Sequence, residues 1–169
     1  MAEIILITGG QRSGKSEFAE KMALKLSDTP LYLATAQVFD AEMAARVKKH
    51  QARRGAQWST IEEPLFIGRH DYSGKTVLVD CLTLWASNCL FENQEDIDKS
   101  FAFAKTELDK LSVQDATFVF VTNEIGLGGV SENALQRKFT DLQGYVNQYV
   151  ASKANEAYLI ISGISLKIK

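Results

Sequence analysis

Eight consecutive residues near the N-terminus, Gly9-Gly10-Gln11-Arg12-Ser13-Gly14-Lys15-Ser16, have the spacing G-x4-G-K-[ST]. Glycines in such a loop let backbone amides turn inward around phosphate oxygens, and a helix starting at its end adds the positive end of a dipole. Lys15 can reach outer phosphates as a point charge, and the Ser16 hydroxyl can ligate Mg2+. The chemistry indicated is the binding and transfer of nucleotide phosphates. A metal held in this way needs a second protein partner. The run Thr76-Val77-Leu78-Val79-Asp80 ends on one, four residues suited to a buried strand followed by a carboxylate. An aspartate that merely caps the next turn is the alternative, but the strand leading directly to Asp80 favours the metal side.

A second constellation is basic. The chain reads Arg46-Val47-Lys48-Lys49-His50-Gln51-Ala52-Arg53-Arg54, five of the 19 cations in nine residues with no acid among them. The remainder carries 14 cations against 21 acids, an asymmetry hidden by the formal charge of -2. If residues 40–53 are helical with Asp40 as N-cap, then Glu42, Arg46 and His50 stack on one face at i, i+4, i+8. Neighbouring cations disfavour a protonated histidine, which leaves the imidazole neutral and nucleophilic near pH 7. The same cations would bind a polyphosphate and stabilise a phosphorane-like transition state. That combination suits attack by imidazole on a nucleotide phosphate, giving a phosphoramidate. The charge pattern also fits a solvated basic helix with an incidental histidine, so it leaves His50 open. His70, beside Asp71, has no comparable surroundings and reads as surface.

The loop Asn123-Glu124-Ile125-Gly126-Leu127-Gly128-Gly129 follows an apolar run. In open α/β sheets ligands bind beyond the carboxyl ends of strands, so Glu124 could hold a metal or a substrate hydroxyl and Asn123 a phosphate or water. An ordinary flexible loop accounts for the same residues, with Ser131 as N-cap of the helix that follows.

Positioning these groups requires strands. Apolar runs recur at residues 3–8, 31–35, 76–80, 117–122 and 156–162, with a short alternating tail at 164–168. Most are continuous rather than alternating, which suits strands buried on both faces of a largely parallel sheet. Helical stripes lie between them. Phe18, Met22 and Leu26 form one, Ile97, Phe101, Ala104, Leu108 and Leu111 a second, and Leu135, Phe139, Leu142, Val146 and Tyr149 a third. The expectation is an α/β fold with right-handed crossovers, helices flanking a mostly parallel P-loop NTPase-type sheet. The tail after Gly163 is too close for a crossover and should return as an antiparallel edge hairpin.

Composition narrows the class. With 169 residues, 46% hydrophobic and 24% charged, the chain reads as one globular domain, 1–169. The near-neutral charge gives no field to draw it to nucleic acid. No apolar run approaches the roughly 18 residues of a membrane helix, so no membrane insertion is expected. The N-terminus enters a strand without a basic leader, and Cys81 and Cys89 have neither disulfide nor zinc spacing. A reduced, cytoplasmic protein is expected.

Several blocks resemble a known family, the bifunctional adenosylcobinamide kinase / adenosylcobinamide-phosphate guanylyltransferases of cobalamin biosynthesis. The matching residues are the loop from Gly9 to Ser16; Tyr32-Leu33-Ala34-Thr35-Ala36; Asp40-Ala41-Glu42-Met43-Ala44-Ala45-Arg46 with His50 and Arg53-Arg54; and Trp58-Ser59-Thr60-Ile61-Glu62-Glu63-Pro64. Further on come Val79-Asp80-Cys81-Leu82-Thr83, Thr122-Asn123-Glu124-Ile125-Gly126, Val146-Asn147-Gln148 and Ser162-Gly163-Ile164. The block around His50 is far more specific than the phosphate loop, which many unrelated proteins share.

The resemblance implies two reactions. ATP or GTP phosphorylates the aminopropanol hydroxyl of adenosylcobinamide. GTP then guanylylates a histidine with loss of pyrophosphate, and GMP passes to adenosylcobinamide phosphate, giving adenosylcobinamide-GDP. By the same matching His50 is the guanylylated residue and Lys15 acts on the phosphates. Nucleotide contacts are Gly9, Gly10, Gln11, Arg12, Ser13, Gly14, Lys15, Ser16, Ala34, Thr35, Ala36, Gln51, Ala52, Arg53, Arg54, Glu62 and Asp80, with Mg2+ on Ser16 and Asp80. A sheet similar to that of the recombination ATPases and a homotrimer are implied too. The chain departs from the family where Ser131 precedes Glu132-Asn133 in place of a frequent proline, and where Ala134 replaces a frequent arginine.

Two other classes fit parts of the pattern. One is a P-loop small-molecule kinase without nucleotidyl transfer, its basic segment serving only as a phosphate lid. The other is a recombination-type ATPase, against which stand the missing basic excess and the lack of aromatics between residues 46 and 54.

Overall fold

The computed structural model of the chain describes residues 1–37 and 54–169. The helix expected at residues 40–53 lies outside the described residues. Seven strands form one sheet: β1 (Glu3–Gly9), β2 (Leu31–Ala34), β3 (Ser59–Glu62), β4 (Thr76–Asp80), β5 (Thr117–Val121), β6 (Glu156–Ile161) and β7 (Ile164–Lys167). Their order is β3-β2-β4-β5-β1-β6-β7, parallel throughout except for antiparallel β7. The helices are α1 (Lys15–Leu26), α2 (Leu82–Glu92), α3 (Ile97–Ser112) and α4 (Ala134–Lys153). The expected α/β architecture and its C-terminal hairpin are therefore present.

Successive residues of β1 serve opposite cores, which is why its sequence shows no polar alternation. Ile4 and Leu6 join Val77, Val79, Phe118 and Phe120 beneath α2, α3 and α4, through Trp85, Leu108, Leu142 and Val146. Ile5 and Ile7 join Leu78, Val119 and Val121 on the other face, beneath Ala19 and Ala23 of α1. No helix among the described residues is long and apolar enough to cross a membrane.

Two elements are additions to the sequence expectation. Helix α2 buries Leu82, Thr83, Trp85, Ala86, Cys89 and Leu90. These recur on one face, but apolar Leu84 and Phe91 on the other side blur the stripe in the sequence. Strand β3 is a four-residue edge with three exposed positions, too short and too polar to read as a strand. Strands expected to end at Thr35, Thr122 and Ser162 stop one residue earlier, and β1 runs one residue further.

One cap is corrected. Asn133, not Ser131, is the N-cap of α4, its side chain accepting from Gln136 N at 3.0 Å. A cap must reach the amide three residues on, and Asn133 stands at that distance before the first helical turns. Ser131 Oγ accepts instead from Asn133 N at 3.2 Å, shaping the turn before the helix. At the β6–β7 turn, Ser162 (φ 51°) and Gly163 (φ 79°) both take positive φ, as a two-residue I′ hairpin demands.

Candidate nucleotide site

Parallel strands deliver their carboxyl ends to one edge of the sheet, and the predicted residues collect there. Ala34 is in register with Asp80 on one side and Glu62 on the other, Asp80 with Val121, Ile7 with Val121, and Gly9 with Ile160. Residues far apart in the chain thus share a rim.

The phosphate loop joins β1 directly to α1. Gly9 passes so close to β6 that a Cβ would lie 2.4 Å from Ile160 O, a contact only glycine avoids. Gly14, the N-cap, supplies no side-chain acceptor, so the first amides of α1 remain available to an anion. Lys15 is buried at 8% exposure, and its Nζ donates to Gly10 O at 2.7 Å. Burial lowers its pKa from the ordinary lysine value, against the opposing pull of Cys81 and Asp80. A desolvated ammonium held against the loop is a strong site for an anion. Thr8 Oγ1 and Ser13 Oγ are buried beside this loop with no hydrogen-bond partner among the described residues, further unfilled capacity at the same place. Ser16 sits half-buried in the first turn of α1, while Gln11 and Arg12 are exposed.

The loop is braced by its neighbours. Glu124 N donates to Gly9 O at 3.1 Å, and Gly163 N donates to Ser13 O at 2.8 Å. Behind Glu124 lies a buried polar network that sequence reasoning missed. Thr122 Oγ1 donates to Asn147 Oδ1 (2.7 Å), and Gln143 Nε2 donates to both (2.7 and 2.8 Å). Asn147 Nδ2 reaches Asn123 O at 3.1 Å and Glu124 Oε2 at 3.4 Å. The available signal was the placement of Gln143 and Asn147 on the apolar stripe of α4, where polar side chains require partners. Asn123 and Glu124 are therefore held rather than flexible.

On the other side, Asp80 accepts from Tyr32 OH at Oδ2, 3.0 Å. Thr35 is fully buried and its Oγ1 donates to Cys81 O at 2.9 Å. Asn88 on α2 donates to Thr35 O (2.9 Å) and Pro64 O (2.7 Å), locking the segment that carries Ala34, Thr35 and Ala36 to the loop after β3. Glu62 is exposed at the end of β3. Its neighbour Glu63 turns inward, accepts from Leu65 N and Phe66 N, and lies 2.6 Å from Arg69 Nε. His70, expected at the surface, is half-buried there, its imidazole 30% exposed and 3.6 Å from Glu63. Its loop is folded against α3, where Gly68 N donates to Glu107 Oε2 at 2.8 Å, and is held inside by the fully buried Tyr72, whose hydroxyl donates to Ile67 O at 3.1 Å.

Arg54 is the part of the basic segment that the structure describes. Its guanidinium carbon lies 3.3 Å from the centroid of the Tyr32 ring, and its Nη1 is buried without an acceptor among the described residues. His50, Gln51, Ala52 and Arg53 lie outside the described residues.

The site fits nucleotide-borne Mg2+. Among the described residues no three His, Cys, Asp or Glu side chains cluster as a metal cage. Mg2+ instead takes one or two protein oxygens plus substrate phosphates, and Ser16 with Asp80 are donors of that kind.

A strand, glycine loop and helix around a buried lysine, with a carboxylate ending a nearby strand, define a P-loop protein that binds nucleotide phosphates. The chain belongs to the cobinamide kinase / cobinamide phosphate guanyltransferase family, whose model matches residues 5–168. It is 38% identical over 181 residues to the bifunctional adenosylcobalamin biosynthesis protein CobU of Escherichia coli (strain K12), covering 98% of this chain and 99% of that one. To the bifunctional adenosylcobalamin biosynthesis protein CobP of Pseudomonas aeruginosa it is 36% identical, covering 97% and 96%. In fold it is similar to a solved protein of Pyrococcus horikoshii, described as a structural study of PH0250. There the TM-score is 0.56 at 10% identity, over 99% of this chain and 86% of that one.

Proposed function

We propose that the chain phosphorylates adenosylcobinamide with ATP or GTP. It then transfers GMP from GTP, through a guanylylated His50, to adenosylcobinamide phosphate. The observation that carries this reading is Arg54: four residues after His50, it brings the end of the basic segment onto Tyr32, beside the Asp80 carboxylate and on the rim that holds Lys15. That contact supports reading the basic block and the phosphate loop as parts of one site.

In the guanylyl step a neutral His50 nitrogen attacks the α-phosphorus of GTP. The bond to the bridging oxygen breaks, and pyrophosphate leaves with that electron pair. Lys15 binds the departing phosphates, while Arg53 and Arg54 offset the charge that develops. The phosphorus–nitrogen bond then yields to the phosphate oxygen of adenosylcobinamide phosphate, releasing the imidazole. Mg2+ on Ser16 and Asp80, when bound, adds a positive charge on the phosphates. For the kinase step the same loop holds the donor, and positioning supplies most of the catalysis. As the family likeness implies, the chain acts as a homotrimer; sedimentation equilibrium would read about three times the 18.7 kDa of one chain.

The test is incubation with GTP labelled at the α or the γ phosphate, followed by denaturation. Acid-labile, alkali-stable α-label on the protein is the expected result. Kinase turnover with no α-label would favour a small-molecule kinase without nucleotidyl transfer, and hydrolysis stimulated by DNA would favour a recombination-type ATPase.

A further inference from the structure

Tyr32 is assigned no role by the nucleotide chemistry, yet it stands where the two halves of the site meet. It lies within β2, in register with Leu78 and Thr60, and is 6% exposed. Its ring belongs to the core on the α1 face, with Trp58 edge-on at 6.4 Å between centroids. A tyrosine buried in that core needs an acceptor for its hydroxyl, and the one it has is the site's carboxylate. Here the hydroxyl donates to Asp80 Oδ2 at 3.0 Å, and the open ring face carries the Arg54 guanidinium at 3.3 Å.

Each contact has a physical consequence. A carboxylate at the end of a strand can rotate about its last bond. A hydrogen bond to one oxygen fixes that rotation and leaves the other oxygen free to accept. A guanidinium held over an aromatic ring is attracted by the ring face and keeps N–H groups for planar acceptors. The Arg54 rim has such a donor to spare, since Nη1 is buried and lacks an acceptor among the described residues.

We propose that Tyr32 is a positioning residue of the nucleotide site. Its hydroxyl orients the Asp80 carboxylate toward the metal, and its ring seats the Arg54 guanidinium against the phosphates. One side chain thereby holds an anion and a cation in place. Resting on the nucleotide assignment made above, this gives two separable functions to two parts of one residue, the oxygen and the ring.

The experiment uses the full chain with α,β-methylene-GTP, which cannot lose pyrophosphate, and Mn2+ as a paramagnetic probe. Tyr32→Phe keeps the ring and removes the oxygen. Its affinity for Mn2+ in the ternary complex should fall by about 10-fold or more, the usual effect of losing a partner that orients a metal ligand. Its affinity for the analogue without metal should stay unchanged. Tyr32→Leu removes both features and should weaken both affinities, and Arg54→Ala should lower metal-free affinity alone. The double variant Tyr32→Leu/Arg54→Ala should bind metal-free analogue no more weakly than Tyr32→Leu, because ring and guanidinium act as one unit.

Wild-type Mn2+ affinity in Tyr32→Phe would overturn the proposal. Equal loss of metal and metal-free affinity in that variant would also overturn it, since a merely structural tyrosine would behave so. If the wild-type chain bound neither probe, the nucleotide assignment itself would fall and this proposal with it. That outcome differs from a wild type that binds both probes and a Tyr32→Phe variant that matches it.

Discussion

The backbone amide of Gly163 donates to the carbonyl oxygen of Ser13 at 2.8 Å, so the turn of the C-terminal hairpin holds the middle of the phosphate loop. The approach is close, for a Cβ on Gly14 would lie 3.4 Å from Gly163 Cα. The last two strands are thus part of the site's support.

Gly163 and Gly74 share a positive φ, 79° and 73°, with open space around each. Alanine at either position should cost roughly 1–2 kcal/mol of stability from backbone strain. Only Gly163→Ala disturbs the loop. Losing about 1 kcal/mol of preorganisation would weaken GTP binding roughly fivefold there and not in Gly74→Ala. Urea denaturation and calorimetric titration of both variants provide the comparison.

Lys15→Ala should depress both phosphorylation and guanylylation by at least about 100-fold, as removal of a preorganised cation from a dry site does. Steady-state assays of the two reactions check this. A kinase step of wild-type rate would mean that the loop is not the donor site.

His50→Ala should abolish α-label on the protein and transfer of GMP while adenosylcobinamide phosphorylation continues. Autoradiography of denatured protein reads the first and a phosphorylation assay the second. Guanylylation that survives in this variant would remove His50 from the mechanism.

The cap correction at α4 is also measurable. Asn133→Ala should destabilise the fold by about 1 kcal/mol. Ser131→Ala, which removes only a turn contact, should stay within about 0.5 kcal/mol of the parent. The order would reverse if Ser131 were the helix cap.

The phosphate loop and six of the seven strands, all but β3, were legible because their signals are local. A glycine pattern between an apolar run and a helical stripe needs no knowledge of distant residues, and β1 to α1 follows from it. Tyr32 with Arg54 and Asp80, Asn88 with Thr35 and Pro64, and Thr122 with Gln143 and Asn147 were not legible as pairs. They join residues from different strands and helices, and only the folded sheet sets their separation. Helix α2 was hidden because apolar Leu84 and Phe91 stand outside its buried face and blur the period by which helices are recognised.

Strand β3 pairs only with β2 among the described residues and is exposed at three of its four positions. Strand β1, at the other end of the site, lies between β5 and β6 with its side chains in two cores. The rim therefore grades from rigid to soft. Hydrogen exchange should strip the amides of β3 well before those of β1. Phosphates would land on a surface already set, while whatever rests against Glu62 meets an edge that can yield. An enzyme that must accept two successive forms of a bulky substrate gains from having its give at that margin and its stiffness at the triphosphate.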